Sequence, residues 1–168
     1  MRIALLAATA LALSAHVAEG QQPPDRATNW RLCVNADRAA PVDQSAAACT
    51  ALILSGTETD VNTGIALFNR ANRDAEQGNY AQAVDDYAQA LAKGFQDPVV
   101  FYGRGFAQNA LGHFTDALSD YTTAIDRNPA LADALGNRGS VYQYGLHDYA
   151  HAIADYGDEP RIIHRVTL

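Results

Sequence analysis

Residues 79–91 read NYAQAVDDYAQAL, and residues 113–125 read HFTDALSDYTTAI. Laid over each other, Ala83 meets Ala117, Asp86 meets Asp120, Tyr87 meets Tyr121, Ala90 meets Ala124 and Leu91 meets Ile125. Gly78 and Gly112 then stand 34 residues apart. A third copy keeps the register, because Asn137-Arg138-Gly139 repeats Gly103-Arg104-Gly105 at the same offset. Beyond it, Tyr149, Ala152 and Tyr156 trail Phe114, Ala117 and Tyr121 by 35, which places one inserted residue near Leu146. Self-similarity at this period marks a unit that cannot bury its apolar face alone and must stack on a neighbour.

Each unit reads as two helices. Phe101, Gly105, Gln108 and Leu111 share one face of a first helix that ends at Gly112. Ala117, Tyr121, Ala124 and Ile125 share a face of a second, which stops before Pro129. Small residues at Gly105 and Ala117 let two antiparallel backbones come close, and Tyr121 fills the space beside them.

The stretch GRGFAQNALGHFTDALSDYTTAIDRNP (103–129) and NRGSVYQYG (137–145) resemble the tetratricopeptide repeat family in its common bacterial form. The likeness lies in the 34-residue period, the crossing pair of small residues, the aromatic and the closing proline, and it runs from Gly64 to about Tyr156. It implies an all-α solenoid of antiparallel helix pairs, about three and a half units long. The first full copy departs at its close, where Pro98 comes late, after Lys93-Gly94-Phe95. Upstream, DQSAAACTALI (43–53) is similar to a degenerate second helix with Cys49 in the place of the aromatic, and Trp30 to Asp37 to its first helix. The expected organisation is a signal peptide (1–20), a degenerate N-terminal pair (21–63), repeats at 64–97 and 98–131, a truncated repeat at 132–159 and a tail at 160–168. Gly157 and Pro160 are expected to end the last helix early, leaving RIIHRVTL as a cap or a frayed end.

The signal peptide is read from Arg2, the uncharged Ala/Leu run from Ile3 to Ala15, and the small-residue spacing Ala18-x-Gly20. That run is too short to span a bilayer. The expected location is therefore periplasmic or secreted. In an oxidising compartment an even pair such as Cys33 and Cys49 is expected to bridge, two small buried thiols being the alternative. The resemblance sets these thiols on neighbouring helices, where a bridge would staple the N-terminal end. The net charge is −7, which opposes binding to phosphate backbones and anionic lipid, so no nucleic acid partner is expected.

Arg70, Arg104 and Arg138 recur once per unit on the inward stripe of the first helix, and Asp86, Asp120 and Asp155 keep step on the second. An unpaired charge in such a stripe is costly. Each arginine is therefore expected to pair with an aspartate, either within a unit or between neighbours.

First helices line the concave side of stacked helix pairs. Spacing assigns Phe68, Asn69, Asn72 and Glu76 to that side in the first repeat, Tyr102, Phe106 and Asn109 in the second, and Asn137, Ser140 and Tyr144 in the third. Amides can satisfy the backbone of an extended peptide and aromatics can anchor it, and the resemblance implies a peptide or protein ligand. The lysine clamp that some relatives use for a terminal carboxylate is missing, since Lys93 is the chain's single lysine. Self-association through the solenoid ends is the first rival reading, and a metal-binding accessory protein with its ion at the histidines is the second. HDYAH (147–151) has metal-like spacing but lacks the glutamate of a zinc-protease motif, and Gly103-x-Gly105 sits within a helix and cradles no phosphate. No catalytic residue, metal or cofactor is expected.

Overall fold

A computed structural model describes residues 24–157. The expected signal peptide and the 160–168 tail lie outside the described residues. Within them the chain is all helix and turn. The helices are α1 (Arg26–Val34), α2 (Val42–Ser55), α3 (Asp60–Glu76), α4 (Tyr80–Ala92), α5 (Pro98–Ala110), α6 (Phe114–Arg127), α7 (Ala132–Ser140) and α8 (Tyr149–Tyr156). Each packs on the next to give four antiparallel pairs, and the first helices α1, α3 and α5 also touch in sequence. This is a tetratricopeptide-like solenoid, and its leading helices line one side.

Local chemistry sets the ends. Asp25, Thr59 and Asp97 cap α1, α3 and α5 by accepting from the backbone N–H of Thr28, Asn62 and Val99. Pro98 opens α5, where its missing N–H costs nothing. The expected first helix at Trp30–Asp37 instead starts at Arg26 and stops at Val34, because Asp25 caps it and Asn35 turns left-handed at φ 43°. Asn35 then bonds the Ala40 backbone through both its side-chain nitrogen and oxygen, at 2.9 and 3.0 Å, and so shapes the loop into α2.

In the two full repeats the turn between helices is the same object. Gly78 and Gly112 are left-handed at φ 81° and 79°, and the next residue's N–H returns to a carbonyl of the last helical turn, Asn79 to Asp74 and His113 to Gln108. In the last pair the inserted residue is absorbed before this turn. Val141–Gly145 forms a π-helical turn, closed by the Leu146 N–H on the Val141 carbonyl at 3.0 Å. His147 then occupies the left-handed position at φ 57°.

The core is built from small residues facing rings. A Cβ on Gly103 would stand 2.7 Å from the Tyr87 ring, and one on Gly105 would meet the Tyr121 ring at 3.1 Å and the Ala117 carbonyl at 3.2 Å. Gly139 faces Tyr156 in the same way. At Gly103 and Gly139 there is no room for a Cβ, and at Gly105 the neighbouring ring would have to shift to admit one. Ala83, Ala90, Ala117 and Ala124 are fully buried between the helices.

Every repeat arginine makes a two-pronged contact with the aspartate of its own unit. Arg70 Nε and Nη2 donate to Asp86 at 2.6 and 2.8 Å, Arg104 to Asp120 at 2.7 Å through both, and Arg138 Nε to Asp155 at 2.8 Å. The hydrogen bonds to these carboxylates raise all three guanidinium groups above their ordinary range, against the opposing effect of burial. Arg70 and Arg138 also reach back one unit, to Thr50 and Thr122. Ala88 stands at the corresponding place for Arg104.

At the N-terminal end, Cys33 and Cys49 are joined in a disulfide with both residues fully buried. Ser45 donates to the Cys33 carbonyl at 3.3 Å, close under that link.

Candidate functional site

The concave side holds a cavity of about 630 Å³. It extends from the α1–α2 loop across α3 and α5 to the start of α7. Five rings, those of Phe68, Tyr80, Tyr87, Tyr102 and Phe106, stand in its walls. Phe68 packs on Tyr87 with centroids 6.0 Å apart, and Tyr80 meets Phe106 edge to face at 6.2 Å. Tyr102 continues the wall toward α7.

Of the residues expected there, Phe68, Asn72, Tyr102 and Phe106 line this cavity, together with Glu76. Asn72 and Asn137 are engaged within the fold. The Tyr87 hydroxyl donates to Asn72 Oδ1 at 2.6 Å, and Asn137 Nδ2 donates to the Tyr102 hydroxyl at 3.1 Å. These amides hold the tyrosines in place, so they act on the groove by positioning its rings. Burial pushes both phenols up from their ordinary value.

Asn69 does not face the cavity. It is buried, and its Nδ2 donates to the Ile65 carbonyl at 2.9 Å. A one-residue step along a helix turns a side chain by about 100°, enough to carry Asn69 off the face that Phe68 occupies. Asn109, Asn137, Ser140 and Tyr144 are also not among the lining residues, Asn137 touching the cavity only through its bond to Tyr102. The Ser140 hydroxyl instead bonds the Gly136 carbonyl and the Tyr156 hydroxyl, locking α7 to α8. Tyr144 lies in the π-helical turn, 66% exposed.

Sequence spacing missed the contribution of the second helices and of two arginines. Tyr80 and Tyr87 reach the cavity from α4, and Arg38 and Arg73 close its N-terminal end. Arg73 had a visible signal. In the 34-residue register it stands where Ala107 and Val141 lie buried in the later repeats.

The HDYAH stretch has a local structural account. Asp148 caps α8, accepting the His151 N–H at 3.2 Å, and its carboxylate meets the His151 ring at 2.6 Å. These bonds to His151 hold the Asp148 carboxyl below its ordinary value. His147 sits in the preceding turn, and no group of three or more metal-ligating side chains occurs among the described residues. Nor is any described helix long and apolar enough to cross a membrane.

No protein-family profile matches the chain. It is 39% identical over 61 residues to the human small glutamine-rich tetratricopeptide repeat-containing protein beta, covering 36% of this chain and 20% of that protein. It is 31% identical over 110 residues to the photosystem I assembly protein Ycf3 of Acaryochloris marina (strain MBIC 11017), covering 61% and 65%. Among solved structures, a tetratricopeptide repeat protein from Parabacteroides merdae ATCC 43184 superposes with a TM-score of 0.65 at 22% identity, over 82% of this chain and 53% of that one. The chain thus spans between a fifth and two thirds of the curated relatives described here. The solved structure bears on the fold alone, and the fold is that of a tetratricopeptide-like α-solenoid.

Proposed function

We propose that this chain is an exported, non-catalytic scaffold that holds an extended segment of a partner polypeptide across its concave cavity. The observation that carries the reading is the ring-lined cavity, which spans consecutive helix pairs and has tyrosines fixed by Asn72 and Asn137. Rings held in place before a ligand arrives lose little freedom on binding, which favours affinity without chemistry. The apolar N-terminal run and the buried Cys33–Cys49 link support export. The assembly role in the name of the Ycf3 relative is in keeping with a scaffold.

A photo-crosslinking side chain at Phe106, inside the cavity, tests this against one at Gln82, outside it. Expression is in a diderm bacterium, with N-terminal sequencing of the periplasmic form. A discrete polypeptide adduct at position 106 alone, on a chain cleaved after Gly20, is the expected result. Equal adducts at both positions would remove the groove reading, and an uncleaved chain retained in the cytoplasm would remove export.

Self-association is a second reading, favoured by the exposed Tyr144, Leu146, Tyr149 and Ile153 on the last pair. It requires a mass that rises with concentration in light scattering and falls to that of one chain in Ile153→Asp.

A further inference from the structure

Arg73 breaks the pattern that its own repeats set. The equivalent positions hold Ala107 and Val141, both essentially fully buried, whereas here a guanidinium is buried with its residue 8% exposed. Among the described residues its one carboxylate partner is Glu76, whose two oxygens both meet Nη1, at 3.1 and 2.9 Å. Its Nε is buried without an acceptor among the described residues. A charged donor left short of acceptors in a core position is costly, and an apolar residue would be the more stable choice there. Glu76 is a third exposed, so it can swing to water at little cost. Arg38 stands at the same end of the cavity, with Nη2 3.9 Å from Glu76.

We propose that the N-terminal end of the cavity is an anion-reading subsite. There Arg73, assisted by Arg38, takes the side-chain carboxylate of an aspartate or glutamate flanked by a large apolar residue in an extended peptide. Glu76 is the internal stand-in that this carboxylate displaces. The exchange is charge for charge, so the buried guanidinium is never left alone. The neighbouring rings of Phe68 and Tyr80 receive the flanking apolar side chain. This inference rests on the groove reading above and adds to it the charge of the peptide and the residue that reads it.

The test uses the full chain and three end-capped, fluorescein-labelled hexapeptides followed by anisotropy. They are Gly-Leu-Asp-Phe-Asp-Gly, the same peptide with asparagine for both aspartates, and the same with lysine for both. A charge-assisted pair at a shielded site predicts about ten-fold tighter binding of the aspartate peptide than of the asparagine one, with the lysine peptide weakest. Arg73→Ala, which copies the later repeats, brings the first two peptides within about two-fold of each other and keeps the helical circular-dichroism spectrum. Glu76→Gln removes the competitor and tightens the aspartate peptide by about three-fold. Equal affinity for the three peptides, a preference that survives Arg73→Ala, or weaker binding in Glu76→Gln overturns the subsite. Charge-indifferent binding that is lost in Phe106→Ala would remove the subsite and leave the groove. Failure of all three peptides to bind would count against both.

Discussion

The first helix pair and the three that follow solve the same packing problem with different bonds. In α3/α4, α5/α6 and α7/α8 an arginine on the first helix grips an aspartate on the second. In α1/α2 the corresponding stretch of the second helix carries Ala48 and Cys49, and the pair is joined by the Cys33–Cys49 disulfide. Ser45 takes the place of the small crossing alanine and bonds the Cys33 carbonyl. The difference follows from the apolar surface each pair brings. Even α7/α8, which ends the described stack, keeps its ion pair shielded, with the Asp155 side chain 7% exposed. The first pair is covered by α3 on one side, and α1 has little apolar surface of its own beyond Trp30, Leu32 and Cys33. A covalent link holds where packing is thin. Outside that link, α1 is tied down by polar contacts to Glu58, from Arg26 at 2.6 and 2.8 Å and from the Trp30 indole at 3.1 Å.

Breaking an ion pair within the stack gives the largest expected effect. Arg104→Met leaves Asp120, whose side chain is 6% exposed, as an unmatched buried charge. Loss of one partner of a buried pair costs about 3–5 kcal/mol, and the quarter exposure of Arg104 moves the expectation to about 3 kcal/mol. Adding Asp120→Leu should recover most of that loss, because an apolar pair of similar volume needs no counter-charge. Urea unfolding of the two single variants and the double variant measures it. A double variant no more stable than Arg104→Met would mean that the two groups do not act as a pair.

Removing the disulfide should cost somewhat less and stay local. For a loop of this length, the chain-entropy estimate for Cys33→Ala with Cys49→Ala is about 3 kcal/mol at most, since the paired alanines still pack. Hydrogen exchange sharpens the contrast. Amides of α1 and α2 are expected to lose protection while those of α5 and α6 keep theirs, as a stack of repeats opens from its ends. Uniform loss across all helices would show the stack to be one cooperative block.

Much of this was legible in the sequence because repetition is its own control. The 34-residue register gave the solenoid, the small-residue crossings and the arginine–aspartate spacing. It could not say whether each pair closes within a unit, since a 16-residue separation fits either until the helix ends are placed. The groove was read less well. Its position followed from the first helices, yet Asn69 turned inward, Asn72 and Asn137 were committed to tyrosines, and Tyr80 and Tyr87 entered from α4. Side-chain reach across a helix pair is set by packing, which spacing on one helix does not encode. Arg73 is the opposite case. Its departure from Ala107 and Val141 was plain in the alignment of the repeats, and its meaning appeared once burial and the missing acceptor were known.

The smallest expected effect concerns the last turn, where the inserted residue has moved the register by one. Gly78 and Gly112 hold the left-handed position in the full repeats, and His147 holds it in the third at φ 57°. A side chain in that conformation costs about 1–2 kcal/mol, and glycine avoids it while adding freedom to the unfolded chain. The net expectation for His147→Gly is a gain of about 0.5–1 kcal/mol, seen as a higher melting temperature with unchanged helix content. The His147 ring lies 6.4 Å from that of Tyr149 between centroids, near the far end of the range in which rings attract, so losing it trims that gain. A lower melting temperature would reverse the reading, making the histidine a stabilising feature of the π-helical turn and giving the third repeat a turn chemistry of its own.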